Sequence, residues 1–370
     1  MWRLRDDEGV FAVMFAIVMS VALFGLAALV VDVGAVYAES RQLQNAADSA
    51  VLGAADDCAV SSSCTGAGEA ASVASLANAN SNDGASNVLE VCGRGRSGLS
   101  ACAASAATPA HWDCGPAPAS GNFVQVRTST RTAGGSSLLP PRFVRAIPGL
   151  AGYPGTNVKS CARAAWGFPD SISGVLPLTF SICEYNAFTS SGTVFQPSGP
   201  YPAPTPWPTE KAIYFHSTQI NDPLAPHCNQ GPSGADVPGG FGWLTPTSGC
   251  QLTEVIGGWY SDSTGRSAPA GCDFAPLIGH VVDIPIYDAL AGTGSNAKYE
   301  LKGFAPFFLT GYYAQSSDKV NSLVDNRPKC PSNSPSDSCI KGFFTHDLVP
   351  ASGTIGPGTG LGTVVVQLTG

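Results

Sequence analysis

The longest unbroken apolar stretch of the chain runs from Val10 to Val31, VFAVMFAIVMSVALFGLAALVV, without a charge and with Ser20 as its one polar residue. As a helix these residues rise about 33 Å, enough for a hydrocarbon core of ~30 Å. Core helices of water-soluble domains rarely stay apolar on every side over such a length, so the pattern predicts a transmembrane helix at 10–31. Beyond Asp32 the pattern becomes periodic. Val33, Val36, Tyr37, Leu43, Ala47, Val51 and Ala54 recur at steps of three and four, while Glu39, Arg41, Gln44 and Asp48 fall largely elsewhere. This predicts a helical extension over 32–57. Its small-residue stripe, Leu43, Ala47, Val51 and Ala54, is a candidate helix-packing face, suited to another helix or to the domain behind it.

Residues 58–121 are rich in small side chains. Glu69–Asn80 reads as a short helix, Asn82-Asp83-Gly84 as a turn, Asn87–Val91 as a strand, and Cys92–Gly121 as loop. From 122 onward the chain reads as mainly β. Phe123–Thr128 alternates apolar and polar, and strand-like runs follow at Leu176–Cys183, Ala212–His216, His280–Tyr287, Lys298–Leu309 and Thr363–Leu368. The expected class is α+β: a transmembrane helix continuing into an amphipathic helix, then a mainly β, disulfide-rich region. The zones are 1–9, a cytoplasmic N-terminus; 10–31, the span; 32–57, its extension; 58–121, the small-residue helix and loop region; and 122–370, a mainly β domain.

The small residues at Val36-Tyr37-Ala38 offer a signal-peptidase site after Ala38. The apolar run, however, exceeds the 7–15 residues of a signal h-region, and the helical pattern continues through the site. The reading is therefore a retained single-pass anchor. Arg3 and Arg5 lie before it and only Arg41 follows closely, which favours the N-terminus inside and the C-terminal region extracytoplasmic. Cysteine usage fits. All twelve (Cys58, Cys64, Cys92, Cys102, Cys114, Cys161, Cys183, Cys228, Cys250, Cys272, Cys330 and Cys339) follow the apolar run, none in a Cys-x-x-Cys pair. Dispersed, even-numbered cysteines in an exported chain most often form disulfides, whereas zinc modules show close ligand pairs. Cys58–Cys64, Cys92–Cys102 and Cys330–Cys339 are short-loop candidates, and the pairing as a whole stays open.

Charge and motifs narrow the function. Charged residues are 12% of the chain, about half the usual share, and the net charge of −8 comes with no basic stripe, which argues against nucleic acid as a partner. The five histidines (111, 216, 227, 280, 346) are scattered, with no His-Glu-x-x-His, Gly-x-Ser-x-Gly or phosphate-binding loop. His280 with Asp283, and His346 with Asp347, are the nearest approach to a catalytic pair, and they read as structural. His227-Cys228 reads as an exposed histidine beside a disulfide cysteine. No catalytic, cofactor or metal residue is assigned. The aromatic segments Phe241–Leu244, Gly257–Tyr260 and Phe304–Phe308 read as core between strands, with glycan or protein binding as the alternative.

The N-terminal block resembles a known family. Asp7-Glu8-Gly9, the apolar run, Val31-Asp32-Val33-Gly34 and Arg41-Gln42-Leu43-Gln44-Asn45-Ala46-Ala47-Asp48-Ser49-Ala50 together look like the TadE/TadG-like family of Flp pilus-assembly proteins. That family shows a short charged start, one transmembrane helix, an Asp just after it, and an Arg-x-x-Leu-Gln-x-Ala-Ala-Asp-type helix. The match covers about 50 residues. The remainder is similar in plan, with a second short helix, a strand like Phe123–Thr128 and a Phe-containing segment, Pro140–Ala146, before Val158–Phe168. The cysteine-rich half resembles the actinobacterial type. Met14 stands where processed pilins carry Glu, which points to the TadG side, and Asp170-Ser171-Ile172-Ser173-Gly174 lacks the first Ser of a von Willebrand metal loop. The resemblance implies a non-enzymatic, membrane-anchored accessory component of Flp-type pilus assembly, with pilin-like or assembly subunits as partners. An anchored adhesin or glycan-binding module and an exported cell-envelope hydrolase are the alternatives.

Overall fold

The computed structural model describes residues 6–60, 64, 66–95, 98–103, 113–147, 149–197, 199, 206–216, 228, 242–261, 267–292, 296–331, 336–349, 355–356 and 360–369. By its internal contacts the chain forms two units: residues 1–165 with 367–370, and residues 166–366.

In the first unit a single helix, α1, runs without a break from Asp6 to Val60. The second helix, α2 (Gly66–Ala79), packs on it. Side-chain hydrogen bonds finish α2: Asn80 Nδ2 donates to Leu76 O and Ser81 Oγ to Ala77 O, both 2.9 Å. Asn78 Oδ1 then accepts from the Ser86 N–H at 2.8 Å, which fixes the start of the next strand. That strand, β1 (Ser86–Arg94), pairs antiparallel with β2 (Asn122–Thr130), with a bulge at Leu89, and β2 also packs on α1. Alongside lies β3 (Lys159–Pro169), which leads into the second unit. Buried Arg163 of β3 donates to Gln125 and to the Gly115 and Pro116 carbonyls, fastening a loop without its own ladder. The returning C-terminus donates from Thr369 N to Arg163 O at 2.8 Å.

The second unit is mainly β. Strands β4 (Ser171–Val175) and β7 (Leu252–Val255) form a two-stranded ribbon. The larger sheet has the order β5 (Phe180–Ser181), β9 (Val281–Ala291), β10 (Lys298–Gln315), β12 (Ser338–Phe344), β6 (Lys211–His216). Two short strands, β8 (Trp259–Ser261) and β11 (Asp318–Val320), also pair with β10. β13 (Asp347–Val349) runs parallel to β15 (Thr363–Leu368), and β14 (Ile355–Gly356) pairs with the end of β3. Strand alternation sorts the core: Ile213 and Phe215 face a cluster with Trp243, Phe307 and Tyr312, while Ala212 and Tyr214 face Tyr313 and Cys339.

The α+β class and the disulfide-rich β region are as the sequence implies, with one departure. Only Phe180 and Ser181 of the expected Leu176–Cys183 strand are extended, and α3 (Ile182–Thr189) begins directly after them. Ser181 and Glu184 form a reciprocal capping box that satisfies two of the free N–H groups of the first turn. The signal was in the sequence as Ser-x-x-Glu, but the apolar run LTFSIC masked it.

Six cysteine pairs lie at disulfide distance: 58–64, 92–102, 114–161, 183–228, 250–272 and 330–339. The three short-loop candidates are among them, and no described cysteine is free. Each pair lies within one unit.

Candidate functional site

The residues singled out by their spacing are on α1, and the helix presents two different surfaces. From Val10 to Tyr37 nearly every large side chain is exposed, Phe24 to 76%. From Glu39 to Ala59 one face is closed off: Leu43, Ala46, Ala47, Ala50, Val51, Ala54, Ala55 and Cys58 have no exposed surface at all. Leu43, Ala47, Val51 and Ala54 are thus all buried, on a helix that packs against α2 and β2 of its own unit.

Alanine is what this approach requires. A methyl side chain keeps helix propensity high and lets a second backbone come close. At Gly53 even a Cβ would run into the Leu76 side chain of α2. Polar links fix the helix on the sheet. Thr128 Oγ1 donates to Leu43 O at 3.2 Å, Gln44 Nε2 to Cys161 O at 3.2 Å, and Ser160 Oγ to Ser40 O at 3.5 Å. Gln44 Nε2 also reaches Asp48 Oδ1 at 2.8 Å.

Glu39 marks the transition. Its carboxylate is buried and accepts from Gln42. Burial raises its pKa, the Thr130 and Gln42 side chains work against that, and Asp83 adds to it. Burial likewise raises the carboxyls of Asp56, at the far end of α1, and Glu69, in the first turn of α2, with the charge of Asp57 adding to both. Glu69 lies with Cys58 and Cys64 in a group whose ligand atoms fall within 4.8 Å of one another. The two sulfurs are at bonding distance from each other, so they are not available as thiolates.

Asp32, the first polar group past the apolar run, has a defined role. Its carboxylate accepts the backbone N–H groups of Arg142 (2.7 Å), Phe143 (3.1 Å) and Val144. These open a single 3-10 turn at Val144–Ala146. The family resemblance singled out Asp32 but not this partner, 110 residues away.

The remaining candidates are placed as follows. Asp283 accepts from Thr363 Oγ1 at 2.8 Å, and burial, with Asp347 adding, pushes its carboxyl up to about 6. His346 packs its ring on Phe195, centroids 4.0 Å apart. Trp243 is buried against Phe215 and Phe274, and Phe304, Phe307 and Phe308 are core, whereas Trp259 is half exposed. Phe241, His111 and His227 lie outside the described residues. Sequence reasoning missed Glu254, which is fully buried on β7 with neither oxygen hydrogen-bonded, and whose carboxyl burial pushes up to about 8. A lone acid flanked by Thr and Val carries no signal that it will face inward.

The long helix is long and apolar enough to cross a membrane, and its most apolar stretch is unburied. No curated protein and no solved structure matches the chain at a significant level. A protein-family comparison does match, over residues 9–57, which is the helix with both of its surfaces. The matching model is that of the Flp pilus-assembly TadE/G-like family, and the match is confined to residues 9–57.

Proposed function

We propose that the protein is a single-pass, membrane-anchored accessory component of Flp-type pilus assembly, whose extracytoplasmic region carries the cysteine framework and which acts through packing and protein contacts. The observation that carries this reading is that the family match coincides with one unbroken helix of two surfaces. The upper half is already occupied by its own unit, so lateral contacts with other subunits fall to the bare lower half. There the driving forces are van der Waals packing and close approach at small residues such as Gly25 and Ala28, since lipid gives no hydrophobic push between helices. The bridges suit an oxidising compartment outside the cytoplasm.

The test is to replace residues 10–31 with an unrelated apolar span of equal length, keeping Asp32 onward. The chain should insert and fold as before, while pilus assembly and co-purification with assembly subunits fall. Normal assembly with the foreign span would reduce the helix to a tether and move the function into the β region.

A further inference from the structure

Between β2 and β3, residues 139–147 and 149–156 form a lobe beside Asp32 of α1. Its ends close in an antiparallel bridge, Leu139 N to Thr156 O at 2.8 Å and Thr156 N to Leu139 O at 3.2 Å. Gly155, at φ +121°, lets the returning chain pass against the Leu139 carbonyl, where a Cβ would collide. Arg145 ties the lobe across its middle, donating to the Tyr153 carbonyl at 2.9 Å and to that of Pro154 at 3.2 Å. The lobe is thus built, yet it leaves apolar side chains in the open: Phe143 is 50% exposed, Leu150 43% and Tyr153 41%. Residues 131–158 carry three arginines (Arg131, Arg142, Arg145) and no acidic residue, in a chain of net charge −8.

Asp32 sets the position of this lobe. It is the residue directly after the apolar run, and it holds the amides of Arg142, Phe143 and Val144. If 10–31 spans the bilayer, Asp32 lies where hydrocarbon gives way to headgroups, and the lobe is held at that depth. Aromatic rings and arginines at this level are the usual membrane-interface anchors: the ring body sits among the acyl ends and the cation meets phosphate. We propose that the lobe 139–156 is a membrane foot, which seats Phe143, Leu150 and Tyr153 in the bilayer surface and Arg142 and Arg145 against its phosphate-bearing headgroups. With the span it makes a two-point attachment, which fixes the tilt of the helix and the height of the first unit.

The inference rests on the membrane reading of 10–31, and the test separates the two. Spin labels are attached to single introduced cysteines, Leu150→Cys, Phe24→Cys and Leu89→Cys, in the full chain reconstituted in phosphatidylcholine/phosphatidylglycerol nanodiscs. Immersion is read from the relative accessibility to oxygen and to a water-soluble nickel complex. Leu89 is a matched control, an exposed apolar side chain of the same unit. It shares a pocket with Thr128 and Ser160, whose hydroxyls bond α1 at Leu43 and Ser40. That is about 12–16 Å beyond Asp32 along the helix. The foot requires label 24 to be deep, label 150 to be at headgroup depth and label 89 to be aqueous, with label 150 at least several-fold more oxygen-accessible relative to nickel than label 89. A label at 150 as aqueous as that at 89, with label 24 deep, overturns the foot and leaves the span standing. An aqueous label at 24 overturns both. A label at 150 that becomes shielded only when assembly subunits are added also overturns the foot and assigns the patch to a protein partner.

Discussion

The two halves of α1 belong to one unbroken helix, and they differ in side-chain size. Between Val10 and Val31 the helix shows Phe, Leu, Ile and Met on every side. Between Leu43 and Ala59 the closed face is mostly alanine, with Leu43 and Val51 as its larger members. The difference is the one expected if lipid surrounds the lower half and protein the upper. Large side chains fill the space that fluid lipid tails leave and need no matched partner. A helix that must lie within one side chain's breadth of another helix and a sheet needs small ones, because the interior on both sides is close-packed and fixed. Hydrophobicity alone does not separate the two cases; volume does.

Three perturbations break or sharpen that contrast, in order of expected effect. The upper half leans on β3, where Gln44 meets the Cys161 carbonyl, and Cys161 is joined to Cys114 across 47 residues. Replacing both cysteines by serine should cost the first unit about 4 kcal/mol by loop-closure entropy. The same change at Cys330 and Cys339, 9 residues apart, should cost about 3 kcal/mol in the second. Denaturant unfolding followed separately for each unit checks both. A loss in the first unit no larger than in the second would mean that this bridge does not brace the helix seat.

Next is volume. Ala47→Leu or Ala54→Leu should destabilise the first unit by about 1–3 kcal/mol through overpacking. Leu23→Ala, in the lower half, should leave the midpoint unchanged. Equal tolerance at 47, 54 and 23 would mean that the seat is not close-packed. Such leucines therefore test the fold before they test assembly, and an assembly defect in them is interpretable only when the folded fraction is measured alongside.

The smallest effect is electrostatic and sits at the boundary. Burial raises the pKa of Glu39 in the folded chain, so between its unfolded and folded values the folded state keeps a proton that the unfolded state has lost. This contribution is full at pH below the unfolded carboxylate value and is lost as pH rises through the folded one. Glu39→Gln should flatten that slope and raise the midpoint slightly at neutral pH. An unchanged pH profile would mean that the carboxylate is solvated.

The sequence made much of this legible, for a physical reason in each case. An apolar run long enough for a bilayer and a three-four period are signals of composition and order, and both halves of α1 follow them. The alternating Phe123–Thr128 and the run Thr363–Leu368 likewise became β2 and β15. The stripe of Leu43, Ala47, Val51 and Ala54 announced a close approach but not to what, since alanine fits a neighbouring subunit and its own α2 equally well. The helix α3 was hidden because four apolar residues outweighed one capping pair. The hold of Asp32 on Arg142–Val144 and the inward turn of Glu254 depend on tertiary placement, which leaves no local pattern to read.

The central claim is that the upper half of α1 is spent on its own unit and that the lower half faces other molecules. Site-specific photocrosslinking in cells assembling pili tests it directly, with the photoreactive side chain placed at Phe24 in one variant and at Ala50 in the other. The account requires position 24 to crosslink to lipid and to other polypeptides, and position 50 to give crosslinks within the chain alone, to α2 or β2. Intermolecular crosslinks from position 50, with none from position 24, would contradict it.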